Sequence, residues 1–292
     1  MDILITAISQ GLLWSLMAIG VYLTYRILHI ADLTAEGSFP LGAAIASSLV
    51  VQGFNAIVAT IIAMSTGLLS GFTTGILYTK FKIPALISGI LTMTALYSIN
   101  LRLMGQANIS LLGQTTIFTA FENIGISGNL VPIIVGLISV VVVIFVLFLF
   151  FRTEIGFVLR STGDNEQMSR AQGVDTDKTK VMGIMIANSL IAFSGALVAQ
   201  SNGFADISMG IGTIVIGLAS VTIGEVMFGN LSLAKRLMCV VLGSIVYRMI
   251  IALAINLNMN PNDLRLITAV ILAVVLTAPN LKVKLNKRVL GN

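Results

Sequence analysis

Long apolar runs separated by short polar stretches dominate the chain. A helix that crosses a bilayer needs about 20 mainly apolar residues, with roughly 17 to 25 as the usual range. Nine runs fit or approach this length: Ile3–Tyr25, Phe39–Val51, Ala56–Thr79, Pro84–Leu103, Val131–Phe151, Val181–Ser201, Thr213–Phe228, Leu237–Ile255 and Leu266–Ala278. We therefore predict an all-α polytopic membrane protein of nine transmembrane helices, with eight or ten as alternatives. One membrane domain covers residues 1–292.

The basic residues between these runs set the orientation. Under the nine-helix count, nearly all of them fall on one side of the membrane: Arg26, Lys80, Lys82, the basic residues of 152–180, Lys235, Arg236, Lys282, Lys284, Lys287 and Arg288. Short cytoplasmic loops carry the excess of Lys and Arg in membrane proteins. The N-terminus is therefore predicted outside and the C-terminus inside. The same rule explains the net charge of +5, which is no indication of nucleic-acid binding.

Composition narrows the function classes. With 57% hydrophobic and 10% charged residues, the chain is far from the roughly 25% charged residues of soluble domains. The single Cys239 and the single His29 exclude an internal disulfide, a cysteine metal site and a histidine cluster. No G-x-x-x-x-G-K-[ST] motif for nucleotide binding occurs. Met1 and Asp2 lead directly into an apolar run, which predicts no cleavable signal. We expect no metal and no catalytic chemistry on this chain.

The largest polar interruption, Arg152–Lys180, holds five basic and five acidic residues. We call it the polar segment and expect it to lie in the cytoplasm as a docking surface for a soluble partner. Within it, Asn165–Gly173 is predicted to form a short helix. Its features are a cap at Asp164 or Asn165, Glu166 at the positive end of the helix dipole, an apolar strip of Met168 and Ala171 beside Arg170, and Gly173 as terminator. The alternative is a solvated helix without a partner.

A short repeat divides the chain. Ala31–Thr34 (ADLT) is followed by Gly37, and 205–208 (ADIS) is followed by Gly210 and Gly212. Each copy precedes an unusually short apolar run, and five spans separate the copies, so the halves would have opposite orientation. Paired short or Gly-interrupted segments in inverted halves are typical of transporters. Coincidence is the alternative. The halves would be about 3–104 and 181–278, joined by a connecting span at about 131–151 and by 152–180.

Polar residues at these turns and inside the spans are candidate pathway or gate residues. For the turns we consider gating and simple helix capping, and for the sixth span a wet pathway or interhelical hydrogen bonds. The candidates are Asp32, Thr34, Glu36, Asn188, Asp206, Ser208, Glu225 and Arg248.

Two of these candidates and one glycine stripe have further alternatives. Arg248 lies twelve residues after Arg236, about 18 Å deep, and must be paired because a buried charge is costly. Asp206 and Asp263 are its candidate partners, in a structural brace or a substrate contact. Glu225 is either a gate or merely interfacial. The Gly67–Gly71–Gly75 stripe serves either packing within the chain or a dimer contact.

The polar segment resembles a known cytoplasmic loop. Its run TEIGFVLRSTGDNEQMSRAQGVD is similar to the loop of permease subunits in ABC importers of the branched-chain amino acid and ribose type. The matching positions are Thr153, Gly156, Arg160, Gly163, Asn165, Ala171 and Gly173. Ser161 stands where that loop usually has Ala. The opening GLLWSLMAIGVYLTYRILHIADLTAEGSFPLGAAIA and the run SGALVAQSNGFADISMGIGTIVIGLASVTIGE look like the subgroup associated with aromatic amino acid import. The resemblance covers roughly residues 10–280.

The resemblance implies a type II ABC importer permease fold in a bacterial plasma membrane. Two copies would enclose the pathway as a homodimer. Two separate ATP-binding subunits would carry ATP and Mg and dock on residues 152–180 as a coupling loop. An external binding protein or lipoprotein would deliver an amino acid, aromatic rather than branched-chain. We expect the fifth span and the turns at Asp32 and Asp206 near the two-fold axis. An ion-coupled secondary transporter, which needs buried carboxylates or a cation site near the midplane, is the alternative.

Overall fold

A computed structural model of the chain describes residues 2–228 and 232–256, together with positions 266, 268–270, 273, 274 and 277. The fold is all-α apart from two three-residue strands. The elements are α1 (Asp2–Tyr22) with a π-helical turn (Leu23–Ile27), α2 (Ala35–Val51), α3 (Ala56–Thr79), α4 (Ala85–Met104), β1 (Asn108–Ser110), α5 (Ile117–Glu122), α6 (Val131–Phe150), α7 (Glu154–Asp164), α8 (Glu166–Ala171), α9 (Thr176–Asn202), β2 (Phe204–Asp206) with a 3-10 turn (Ile207–Gly210), α10 (Thr213–Phe228) and α11 (Leu233–Asn256).

Seven helical stretches in the described residues are long and apolar enough to cross a membrane, and α2 is a shorter apolar helix. The prediction of an all-α multi-pass membrane protein is therefore confirmed. Eight of the nine predicted spans coincide with these helices. The ninth, Leu266–Ala278, lies almost wholly outside the described residues, so the count of nine stays a prediction.

Three predicted helices begin four or five residues earlier than expected because polar residues join their first turns. The helix predicted to start at Leu237 begins at Leu233 and includes Lys235 and Arg236. The helix predicted to start at Phe39 begins at Ala35, and its polar Ser38 is buried against other helices. The helix predicted to start at Val181 begins at Thr176, where the Asp175 side chain accepts a hydrogen bond from the Lys178 backbone and caps it. This polar first turn extends α9 beyond its apolar part.

Helix α9 is the centre of the molecule and is the most buried of the candidate spans. The predicted glycine stripe of α3 lies directly against it. A Cβ at Gly67 would come within 2.4 Å of the Asn188 carbonyl oxygen, and one at Gly71 within 2.6 Å of the Ile184 carbonyl oxygen. Gly75 faces the same helix more loosely, since a Cβ there would come to 3.0 Å from the Val181 Cα. The stripe therefore serves helix packing within the chain, and at Gly67 and Gly71 only glycine allows this approach.

The two short helices α2 and α10 run in opposite directions. Helix α2 runs parallel to α9, because Ser38 bonds Asn188 and Gly42 packs on Ala192. Helix α10 follows α1 in the same manner: Gly217 contacts Val21 and Met17, and further along the Glu225 side chain lies on the Arg26 guanidinium. Helices α1 and α9 are antiparallel, with Leu13 bonded to Ser194 and Gly20 packed on Ala187 and Ile191. Each short helix thus packs on the first long helix of the other half.

The N-termini of α2 and α10 meet at mid-depth. A Cβ at Gly210, just before α10, would lie 2.0 Å from the Glu36 carbonyl oxygen at the start of α2. The depth follows from Asn188, which contacts the start of α2 and is the thirteenth of the 27 residues of α9. At 1.5 Å per residue it lies about 18 Å from the beginning of that helix. We call this place the helix junction.

Candidate functional site

The two repeat turns, one before α2 and one at β2, share one geometry. The Thr34 amide donates to Asp32 Oδ1 over 2.9 Å, and the Ser208 amide donates to Asp206 Oδ1 over 2.7 Å. Both are Asx turns, in which the carboxylate accepts from the backbone two residues on. Burial raises the pKa of Asp206, but the hydrogen bonds from Ser208 and Asn108 outweigh it, so the pKa lies below its ordinary value. The ADLT and ADIS sequences therefore build equivalent turns.

Buried hydrogen bonds tie the first turn to three helices. Asn188 Nδ2 donates to Asp32 Oδ2 over 2.7 Å, and Ser38 Oγ donates to Asn188 Oδ1 over 2.7 Å. Thr34 Oγ1 lies 2.7 Å from Thr74 Oγ1 of α3. Asn188 is therefore an interhelical brace, and both oxygens of Asp32 are engaged by the chain itself.

Glu36 links the two halves of the chain directly. Its Oε1 accepts a hydrogen bond from the Gly212 amide over 3.0 Å, joining the first turn of α2 to the start of α10. Beside it lies a cavity of about 330 Å³ between α4, α2 and the turn before α10. Tyr97 and Asn100 of α4 line this cavity with Glu36. Neither was predicted from the sequence, because α4 carries several polar residues and only its packing shows which of them line the cavity.

Arg248 does not have the partner expected from the sequence. Its guanidinium lies over the Trp14 ring, 4.0 Å from the ring centroid. Asp206 instead bonds Ser208 and Asn108, so that predicted partner is wrong, and Asp263 lies outside the described residues. Nε and Nη2 of Arg248 have no hydrogen-bond partner among the described residues. An aromatic ring face attracts a cation without a hydrogen bond. Trp14 was therefore not predicted, because only acidic residues were expected as partners of Arg248.

Glu225 closes the opposite end of α10. Its Oε1 lies 2.7 Å from Nε of Arg26, in the π-helical turn after α1. This ion pair again joins the first half of the chain to the second. The structure thus places Glu225 in a contact between the two halves at the end of α10.

The polar segment folds into α7, α8 and the first turn of α9. Asn165, rather than Asp164, caps α8, because its Oδ1 accepts from the Met168 amide over 2.9 Å. Gly173, at φ +85°, ends the helix by turning the backbone into the left-handed region. A Cβ at Gly163 would lie 1.7 Å from the Ile27 carbonyl oxygen, so glycine is needed where α7 crosses the π-helical turn.

Ion pairs fix α8 to the neighbouring helices. Glu166 pairs with Lys180 over 2.6 Å and with Arg170 over 3.0 Å. Arg170 and Lys82, at the end of α3, both contact Asp177 at 3.2 and 3.0 Å. The hydrogen bond and charge of Lys180 hold the pKa of Glu166 below its ordinary value.

The outer face of α8 is apolar and uncovered. The Met168 side chain is 59% exposed and Ala171 is exposed beside it. Because the ion pairs lie on the other side of the helix, α8 presents this pair of residues at the surface of the molecule in a fixed orientation. Such a helix face suits insertion into a groove of another protein.

Comparison with known proteins gives a family match over nearly the whole chain. Residues 3–277 match the family profile described as "Branched-chain amino acid transport system / permease component". The chain is 42% identical to the tyrosine transport system permease protein of Clostridioides difficile, over 97% of this chain and 94% of that protein. It is 34% identical to an uncharacterised protein of Rickettsia prowazekii, over 95% and 98% of the two chains.

A more distant relative shares only part of its length. The autoinducer 2 import system permease protein LsrC of Escherichia coli is 26% identical over 64% of this chain and 53% of that protein. No solved structure matches the chain.

Proposed function

The chain belongs to the permease family of branched-chain amino acid transport systems, and from this premise we propose that it forms the pathway of an ATP-driven amino acid importer. It is a multi-pass cell membrane protein and an ABC-type permease. The finer steps that we propose are ATP-driven alternating access, the amino acid substrate and the assembly.

The observation that carries the proposal is the exposed apolar face of α8. An importer whose permease has no nucleotide site must receive the work of ATP hydrolysis through a cytoplasmic contact. Helix α8 offers that contact, since it is held by Glu166, Arg170 and Lys180 and exposes Met168 and Ala171. We assign the polar segment as the docking site for two ATPase subunits, which carry ATP and Mg.

Two copies of the chain would face each other across α4. We expected the fifth span at the axis, but the exposed face of α6 consists of apolar side chains such as Val141 and Phe145, which suits lipid. The exposed face of α4 carries Thr94, Tyr97 and Ser98 next to Glu36. Most other exposed side chains of α4, such as Leu91 and Leu101, are apolar, so it is the polar group in the middle of this face that suits a pathway rather than lipid.

We further propose an aromatic amino acid as substrate, delivered by an external binding protein or lipoprotein. The support is the tyrosine transport system permease protein, which is 42% identical over nearly the full length of both chains.

The test is ATPase and uptake activity of the importer reconstituted in proteoliposomes with its ATPase and binding protein. Met168→Asp combined with Ala171→Asp puts two charges on the docking face and should abolish substrate-stimulated ATP hydrolysis. Leu112→Asp is the matched control, because Leu112 is 84% exposed in the outer loop and should leave activity unchanged.

Stimulated hydrolysis that survives the double substitution would show that α8 is not the docking site. Uptake that proceeds without ATP, driven by an ion gradient alone, would instead identify an ion-coupled transporter.

A further inference from the structure

Among the described residues, the cavity at the helix junction is lined by one acidic residue and no basic one. It lies between the middle of α4, the first turns of α2 and the turn before α10, with a volume of about 330 Å³. This is within the size range of small-molecule sites, about 300 to 1,000 Å³.

One carboxylate oxygen on its wall lacks a partner. Glu36 uses Oε1 for the Gly212 amide, and its other oxygen has no partner among the described residues. Asn100 also contributes to the lining, but its Oδ1 has no contact with solvent and is not within reach of a ligand. Its amide nitrogen donates to the Gly37 carbonyl over 3.3 Å, which ties α4 to α2. A carboxylate oxygen that is partly buried without a partner carries a desolvation cost that a ligand donor would remove.

The rest of the lining is mainly apolar and carries no basic group. Among the described residues that line the cavity, Glu36 is the only charged one. The apolar and aromatic surface comes from Pro40, Met93, Tyr97, Ile207 and Ile211. A primary ammonium group has three donors and no acceptor, so it complements the free oxygen of Glu36. An anion would find only the hydroxyl groups of Thr94, Tyr97 and Ser98 and would face the Glu36 carboxylate.

We propose that this cavity binds a primary ammonium group attached to an apolar or aromatic body. This site rests on the proposed function, since it is where an amino acid would be held during passage through the permease. Glu36 accepts a hydrogen bond of the ammonium group, and Tyr97, Ile207 and Ile211 contact the body. Because Glu36 also binds Gly212, the ligand is recognised at the contact between the two halves.

The first test measures binding to the purified permease without its partners, by calorimetry or saturation-transfer NMR. The probes are 2-phenylethylamine and 3-phenylpropionate, which share the aromatic body and differ in the charged group. Glu36→Gln keeps an oxygen for Gly212 and removes the charge. We expect the amine to bind the wild-type protein and to bind Glu36→Gln at least about tenfold more weakly, since hydrogen bonds to charged groups are the stronger ones.

Controls separate recognition from folding. Ser65→Ala removes a hydroxyl from the exposed side of α3, outside the cavity, and should bind the amine as the wild type does. Tyr97 is 55% exposed, so Tyr97→Ala is expected to fold, and it should weaken 2-phenylethylamine more than butylamine. Equal binding of the amine to wild type and Glu36→Gln, or equal binding of 3-phenylpropionate and the amine to the wild type, would overturn the proposal.

Uptake in proteoliposomes distinguishes the proposed ammonium site from the proposed function as an amino acid importer. Amino acid import by the wild type with unchanged import and unchanged amine binding in Glu36→Gln would refute the ammonium site alone. Glu36-dependent amine binding without any amino acid import by the assembled wild type would refute the proposed function and leave the site standing. Import that falls at least about tenfold in Glu36→Gln, with stimulated ATP hydrolysis retained, would support both.

Discussion

Arg248 shows how a single buried charge is accommodated in this chain. A charged residue at the centre of a membrane helix costs about 2.5 to 3.5 kcal/mol on insertion scales. Its guanidinium lies 4.0 Å from the Trp14 ring centroid, and Trp14 in turn packs on Phe39, with ring centroids 4.8 Å apart. The cation therefore connects α11 to α1 and, through two rings, to α2.

We predict that Arg248 and Trp14 are energetically coupled. A double-mutant cycle with Arg248→Met and Trp14→Leu, read from unfolding in detergent, should give a coupling of about 0.5 to 2 kcal/mol, because a desolvated cation–π contact is lost only once. Tyr247→Phe combined with Trp14→Leu is the control and should be additive. Additivity of the first pair within about 0.3 kcal/mol would exclude the ring as the partner.

The need for a partner at Arg248 follows from its position in an apolar run, but the partner itself does not. Trp14 is 234 residues away in the chain, and an aromatic ring leaves no polar signal in a sequence. Asn100 and Tyr97 were missed for a related reason. A single polar residue in an apolar helix gains meaning only when its neighbours are known.

At the scale of helices, glycines decide how closely α2 and α9 approach. A Cβ at Gly42 would lie 1.9 Å from the Ala192 carbonyl oxygen, a backbone atom that cannot rotate away. A Cβ at Gly75 would come only to 3.0 Å from Val181. A side chain at position 42 would force α2 and α9 apart, whereas one at position 75 would require only a small adjustment between α3 and α9.

We predict that Gly42→Ala is much more damaging than Gly75→Ala. Overpacking costs about 1 to 3 kcal/mol or more, whereas Gly75→Ala also gains helix propensity of up to about 1 kcal/mol. The melting temperature in detergent should therefore fall markedly for Gly42→Ala and change little for Gly75→Ala. Equal melting temperatures would contradict the close packing of α2 on α9.

A pH dependence is expected for α8. The pKa of Glu166 is lowered by Lys180, so the pair stabilises the helix above the unfolded pKa of about 4.3. This stabilisation is lost as the pH falls through the lower folded pKa. Hydrogen exchange of the α8 amides, corrected for intrinsic rates, should accelerate between pH 6 and pH 3.

Lys180→Met provides the matched variant. Without the cation, α8 should exchange faster already at pH 6 and show a smaller further change on acidification. Protection of α8 equal to that of the wild type across this range would show that Glu166 and Lys180 do not anchor the helix.

Element boundaries could be predicted wherever apolar runs end at charges, as at Thr79 before Lys80. They failed where polar residues are satisfied by distant ones. The stretch that contains Glu36 and Ser38 looks like a loop in the sequence. It is helical because Glu36 accepts a hydrogen bond from the Gly212 amide and Ser38 donates one to Asn188. The cap and terminator of α8 were predictable because capping is local chemistry.

For the whole molecule, we predict a homodimer with α4 at the interface. Native mass spectrometry of the assembled importer should give two copies of this chain with two ATPases, and an obligatory different second permease would contradict it. Tyr97→Cys should cross-link two copies, whereas Val141→Cys on α6, similarly exposed at 57%, should not. The native Cys239 is buried, so background cross-linking is low.

The exchange of short helices between halves has a consequence for the order of synthesis. Asp32 and Ser38 find their partner Asn188 only 156 and 150 residues later. At about 5 to 20 residues per second, a ribosome needs roughly 8 to 30 s to make that distance. During this time α2 is a short helix with a polar first turn and without α9 to pack against, so it is poorly suited to contact with lipid. We expect α2 to stay with the insertion machinery until α9 emerges, so membrane entry of α2 depends on translation of α9.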